Sequence, residues 1–222
     1  MNTKLVPALA AVAAAAFALS ACSNSEEPST GGDAAAPTTT TMAAPMTTTE
    51  AMAQGVTTPD DTFGPACSQL PAEGEPGSLD AMGPQPVATA ASTNPLLTKL
   101  VAAVGAVDGL ADTLNSAEAL TVFAPADPAF AALGDAKFQE LAGKPDQLAP
   151  ILQFHVVPQR YDAEGLREAG TVQSLNDSAP ALKIEGEGDT MTVNGAKVLC
   201  GNIPTANATV FVIDTVMTPP AA

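Results

Sequence analysis

The chain has 222 residues and a formal net charge of −16, with eight Lys and Arg against 24 Asp and Glu. Proteins that bind nucleic acid neutralise phosphates with basic patches, and the sequence contains no basic run. The composition therefore excludes nucleic acid as a partner. It also argues against electrostatic attachment to anionic lipid headgroups.

The amino terminus has the features of an export signal. Lys4 precedes an uncharged apolar run from Leu5 to Leu19, shorter than the roughly 18 to 20 residues that span a bilayer. Leu19-Ser20-Ala21-Cys22 then resembles the lipobox of bacterial lipoproteins. This predicts a signal peptide over residues 1–21, and a lipoprotein held on the outer face of the cell membrane by palmitate or similar acyl chains on Cys22. The alternative is an ordinary secretory signal that releases the protein.

Residues 22–63 are dominated by Thr, Ala, Pro and Gly and contain few large aliphatic side chains. Such a segment cannot offset its conformational entropy by burial, so we expect a disordered tether. Threonines beside prolines are typical of O-glycosylated stalks, which makes candidates of Thr38, Thr39, Thr40, Thr41, Thr47, Thr48 and Thr49. The alternative is a plain soluble spacer.

Residues 64–220 have the pattern of one folded domain, which begins with helices. Asn94-Pro95 predicts a helix with Asn94 as its N-cap. Asp127-Pro128 predicts a second start with Asp127 as its cap. Further short helices are expected over residues 135–141 and from Pro145 through Leu152.

The last third of the chain changes to the alternation of strands. Leu182 to Val193 predicts a hairpin around the sequence GEGD, and Asn194-Gly195 predicts a tight turn. The strongly apolar segment from Val210 to Ile213 predicts another strand. Because helices precede a mostly antiparallel sheet, the predicted class is α+β.

Two cysteines remain if Cys22 carries lipid. In an oxidising compartment, Cys67 and Cys200 are most simply a disulfide. The alternative is a two-thiol metal or redox site, although the sequence has no C-x-x-C spacing and only one histidine, His155.

Three segments together resemble the conserved boxes of fasciclin domains: TVFAPADPAF at 121–130, ILQFHVV at 151–157 and ANATVFVID at 206–214. The resemblance covers about residues 86–219, and it looks closer to mycobacterial secreted and lipid-anchored antigens than to animal adhesion proteins. It implies a wedge-shaped β-sandwich with packed helices. It also implies one disulfide, which would join the segment before the domain to a late strand.

The boxes contain three residues that we single out as fold-motif residues: Asp127, His155 and Asn207. His155 is interpreted as a partly buried core histidine rather than a base, metal ligand or pH sensor. The sequon Asn207-Ala208-Thr209 is interpreted as an accident. Phe154 replaces the usual Tyr of the central box, which weakens any transfer of integrin-type recognition.

The leading functional hypothesis is a non-enzymatic surface lipoprotein, monomeric, that presents one domain for adhesion or ligand binding. Its expected partners are a host-surface or matrix protein or a glycolipid. The second hypothesis is an envelope carrier or sensor of a small apolar ligand such as a lipid. The third, an enzyme, lacks a motif: we predict no catalytic residue, cofactor or metal.

Overall fold

The computed structural model describes residues 55–219. The predicted signal peptide, the lipidation site Cys22 and the threonines from Thr38 to Thr49 lie outside the described residues. Within residues 55–219, no helix is both long and apolar enough to cross a membrane.

The described chain contains eight α-helices, all short. They are α1 (Leu79–Met82), α2 (Val87–Thr93), α3 (Thr98–Gly105), α4 (Leu110–Ser116), α5 (Asp127–Leu133), α6 (Asp135–Ala142), α7 (Pro145–Phe154) and α8 (Ala163–Ala169). Single 3₁₀ turns lie at Pro59–Asp61, Cys67–Gln69 and Gly188–Thr190.

Seven strands occur in the same part of the chain. They are β1 (Leu120–Pro125), β2 (Val156–Val157), β3 (Thr171–Val172), β4 (Leu182–Glu185), β5 (Thr192–Val193), β6 (Ala196–Pro204) and β7 (Ala208–Ile213). Their order in the sheet is β2-β1-β7-β6-β5-β4-β3, and every pairing is antiparallel except β1 with β7. The α+β class is confirmed, but β1 lies among the helices rather than after them.

Strands β1 and β7 separate two apolar cores. Side chains alternate along a strand, so Val122 faces the helical core while its neighbour Phe123 faces the second core. There Phe123 packs on Phe211 with ring centroids 5.8 Å apart. The second core also contains the inward side chains of β3, β4 and β5, namely Val172, Leu182, Ile184 and Val193. The sheet therefore folds over itself into a sandwich, with the helices on its other face.

The predicted hairpins are present. Ile184 pairs with Val193 across the GEGD turn. Asn194 and Gly195 have φ values of 50° and 84°, the left-handed conformation that a two-residue hairpin turn requires. The predicted disulfide is also present: Cys67 is bonded to Cys200 of β6, with a sequence separation of 133 and Cα atoms 5.0 Å apart.

The predicted helix start at Asn94 is wrong by several residues. Asn94 ends α2, and its side-chain oxygen accepts a hydrogen bond from the backbone N–H of Leu96 at 2.9 Å. This local turn uses the side-chain oxygen that an N-cap residue would offer to the first N–H groups of a helix. Helix α3 therefore begins only at Thr98.

The predicted tether boundary at residue 63 is also wrong. The carbonyl oxygen of Gly55 accepts hydrogen bonds from Arg160 and from the hydroxyl of Thr209 in β7. Phe63 exchanges backbone hydrogen bonds with Gly201 of β6, with N···O distances of 3.3 and 2.8 Å. Residues 55–63 therefore belong to the folded domain.

Candidate functional site

A cavity of about 310 Å³ lies between the helices α2, α3 and α4 and the strand β1. This volume is at the lower end of the range of small-molecule sites. Most of the larger side chains around it are aliphatic: Val87, Leu100, Val101, Val104, Leu110, Leu114, Val122, Leu152 and Val156. The site is therefore suited to an apolar ligand.

The space exists because the helices around it carry small side chains where they face one another. Ala88 and Ala91 of α2, Gly105 of α3 and Ala111 of α4 all line the cavity. Large side chains at these positions would fill the gap between the helices. The floor is made by the buried residues Val122 and Leu152.

The rim of the cavity is polar but uncharged. Thr89 and Ser92 are exposed, and Asn115 is half-buried. The Asn115 side-chain oxygen accepts a hydrogen bond from the N–H of Ala88 at 2.9 Å, and its amide donates to the Thr89 hydroxyl at 3.4 Å. Among the described residues that line the cavity, there is no Asp, Glu, Lys or Arg.

His155 lies at the floor and is held by two backbone groups. Its Nδ1 lies 2.8 Å from the carbonyl oxygen of Ile151, and the N–H of Met217 donates to its Nε2 at 3.0 Å. Since Ile151 offers an acceptor and Met217 a donor, the ring is neutral with its proton on Nδ1. Burial lowers the pKa of His155 to about 4, against the opposing effect of the Ile151 hydrogen bond.

This geometry makes His155 more buried than the sequence interpretation proposed, with 2% of the residue exposed. Both ring nitrogens are occupied by the backbone. A general base or a metal ligand needs a free nitrogen, so the arrangement supports a structural role. Within residues 55–219, no cluster of three His, Cys, Asp or Glu side chains is placed to hold a metal ion.

Asn207 connects two walls of the cavity. Its side-chain oxygen accepts a hydrogen bond from the N–H of Val87 at 2.9 Å, at the start of α2. Its amide donates to the carbonyl oxygens of Leu114 and Ala117 at 2.8 Å, at the end of α4. One buried amide thus satisfies helix-end groups of both α2 and α4. The side-chain nitrogen of Asn207, to which a glycan on the sequon would be attached, therefore makes its hydrogen bonds inside the domain.

Asp127 holds the third wall, α3. It was predicted to cap its own helix, but it is the first residue of α5, and Ala126 occupies the cap position. Its carboxylate instead accepts hydrogen bonds from the N–H of Lys99, at 2.8 Å, and from the hydroxyl of Thr98. Both donors belong to the first turn of α3, so Asp127 caps the neighbouring helix.

The three fold-motif residues thus support one site, although only His155 is part of its lining. Asp127 fixes α3, Asn207 fixes α2 and α4, and His155 forms part of the floor. The sequence identified these residues but not the cavity between them. The only available signal was the row of small residues at 88, 91, 105 and 111, which does not distinguish close helix packing from an open space.

The class of protein follows from the sequence of residues 95–219. A sequence model of the fasciclin domain matches residues 95–219, and the chain belongs to the fasciclin domain family. The resemblance seen in the three boxes is confirmed.

Particular relatives lie among mycobacterial surface and immunogenic proteins. The chain is 42% identical over 180 residues to the cell surface glycolipoprotein MPB83 of Mycobacterium bovis, covering 78% of each chain. It is 39% identical over 180 residues to the immunogenic protein MPB70 of the same organism, covering 77% of this chain and 91% of that protein. A solved FAS1 domain pair from the insect cell adhesion molecule fasciclin I aligns with a TM-score of 0.45 and 18% identity, covering 56% of this chain and 45% of that one.

Proposed function

We propose that this protein is a non-enzymatic surface lipoprotein that presents one fasciclin domain for adhesion or host binding. The relative named as a cell surface glycolipoprotein is similar over most of its length, which supports display at the cell surface. Acyl chains on Cys22, the first residue after the predicted signal peptide 1–21, supply the anchor in this proposal. A shed or secreted form would present the same domain.

The observation that carries the proposal is the way in which the amino-terminal segment is fastened to the domain. The carbonyl oxygen of Gly55 accepts a hydrogen bond from the hydroxyl of Thr209, Phe63 pairs with Gly201, and Cys67 is bonded to Cys200. These contacts fix the root of the predicted tether to the last two strands. The tether therefore leaves the domain at a fixed point.

The anchor is tested by fractionating cells that express the full chain. The wild-type protein is expected in the membrane fraction, and Cys22→Ser in the soluble or secreted fraction. Ser23→Ala is a matched control that leaves the lipidation site intact. Equal membrane association of the wild type and Cys22→Ser would overturn the lipid anchor.

Adhesion is tested by binding the oxidised full chain to immobilised matrix proteins, glycans and glycolipids. Saturable binding to one class is expected. Uniform absence of binding across the panel would contradict adhesion and leave a carrier function as the remaining candidate.

We propose as the second candidate an envelope carrier of a small apolar ligand, because the uncharged cavity between α2, α3 and α4 has the size of a ligand site. Native mass spectrometry of the protein purified from its own envelope tests this candidate. A bound mass that organic solvent extracts is expected. A protein that carries no ligand and takes up none from added lipid would contradict it.

A further inference from the structure

We infer that the cavity between α2, α3 and α4 binds a single alkyl chain of an uncharged lipid, with the polar end of that lipid at Thr89, Ser92 and Asn115. The inference rests on the second proposed function and names the chemical class of the ligand. It follows from the size of the cavity, the chemistry of its walls and the charge at its rim.

The size of the cavity limits the ligand to one chain. An apolar protein cavity of roughly 150 Å³ holds one benzene molecule. The cavity described here, about 310 Å³, is about twice as large. It therefore accommodates roughly ten to twelve carbon atoms on that scale. Two acyl chains or a sterol would not fit without separating the helices.

The walls favour an alkyl chain over an aromatic ligand. They consist largely of branched aliphatic and small side chains. Of the two aromatic residues at the cavity, Phe123 faces the second core, and the backbone holds both ring nitrogens of His155. Aromatic recognition gains from offset or edge-to-face ring pairs. An alkyl chain needs only apolar contact along its length.

The rim determines the charge of the polar end. A carboxylate or phosphate at the mouth needs a cation or several donors to replace water. The lining offers none of the cations Lys or Arg, His155 is neutral, and the whole chain has a net charge of −16. Thr89 and Ser92 supply hydroxyls instead. These suit the hydroxyl or ester groups of a neutral lipid.

The experiment compares two ligands with the same chain and different heads. Monolauroylglycerol and laurate are titrated at pH 8, each below its micelle concentration, into the full chain stripped of lipid. Binding is followed by native mass spectrometry and by the shift of the melting temperature. We expect monolauroylglycerol to bind at least about tenfold more tightly than laurate, with one molecule per chain, and cholesterol not to bind.

Variants locate the site. Ala111→Phe places a ring in the cavity from α4 and should weaken monolauroylglycerol binding at least about tenfold. Ala102→Phe is the matched control, because Ala102 is exposed on α3 and is absent from the cavity lining. Ala91→Leu, a smaller change on α2, replaces Ala111→Phe if that variant does not fold.

The outcomes separate this inference from the function on which it rests. Equal or tighter binding of laurate, or preferential binding of cholesterol, would overturn the ligand class while a carrier function stands. Unchanged binding by folded Ala111→Phe or Ala91→Leu would overturn the location. No binding of any of the three ligands would overturn the inference and the carrier function together.

Discussion

The carboxylate of Asp127 accepts a hydrogen bond from the backbone N–H of Lys99, so a residue of α5 caps the start of α3. Truncation in Asp127→Ala leaves two donors of the first turn of α3 without this partner. We expect the free energy of unfolding to fall by about 1 to 2 kcal/mol. Chemical denaturation of the oxidised protein measures this.

Asp127→Asn is the matched control, because its amide oxygen can still accept from Lys99. It should lose less stability than Asp127→Ala. Equal losses in the two variants would show that charge, and not the capping hydrogen bond, provides the stabilisation.

The different roles of Asp127 and Asn94 show which features of the helix ends the sequence predicts and which it does not. The pair Asp127-Pro128 marked a helix start correctly, since Pro fits the first turn and lacks the N–H that would need a partner there. Which N–H groups the carboxylate would reach depends on how α3 and α5 pack, and α3 is distant in sequence. Asn94 failed for the complementary reason: its side chain closed a local turn that competes with a cap.

The lowered pKa of the buried His155 should make the free energy of unfolding depend on pH. Its pKa is about 4 in the folded state and near 6.5 when unfolded, so between these values the unfolded chain binds a proton that the folded chain does not. The stability is fully present above about pH 6.5 and is lost as the pH falls towards 4. The loss attributable to this group is roughly 3 kcal/mol.

Urea denaturation at a series of pH values tests this, with His155→Gln as the comparison. Glutamine does not titrate, so the variant should show a flatter dependence between pH 6.5 and 4, whatever its absolute stability. Parallel curves for the wild type and His155→Gln would contradict the assignment.

Replacement of Asn207 should lower the stability of the domain more than its position beside a turn suggests. In Asn207→Ala, the N–H of Val87 and the carbonyl oxygens of Leu114 and Ala117 lose their partner in a buried site. We expect a loss of about 3 kcal/mol or more in the free energy of unfolding. Thermal and urea denaturation measure it.

Asn115→Ala is a suitable comparison, because Asn115 also caps α2 through its side-chain oxygen but is half-buried, and water can replace it. It should cost about 1 kcal/mol. A loss for Asn207→Ala no larger than that for Asn115→Ala would show that water reaches the groups that Asn207 satisfies.

The disulfide should contribute strongly, because 133 positions separate Cys67 from Cys200. Closing so long a loop restricts the unfolded chain. The double variant Cys67→Ser, Cys200→Ser should lose about 2 to 5 kcal/mol, and a reductant should then have no further effect on it. The same melting temperature for the wild type with and without reductant would contradict this.

The sequence also identified the cysteine pair and the strands. The pair follows from the number of cysteines, and the strands follow from the alternation of apolar and polar residues along short segments. It placed the start of the domain too late, since residues 55–63 have no apolar pattern. Their attachment comes from backbone pairing, as between Phe63 and Gly201, and from Arg160. The cavity escaped detection for a similar reason: it depends on the spacing of three helices, not on any one of them.

The parallel pairing of β1 with β7 has a consequence for the proposed export. Val122 pairs with Val210, 88 positions later in the chain (210 − 122), and β7 also pairs with β6. Contacts between such distant segments form late and slowly. The sheet cannot be completed until residue 213 is available. If the proposed export takes the chain through the membrane amino terminus first, the sheet is completed only after nearly all of the chain has crossed.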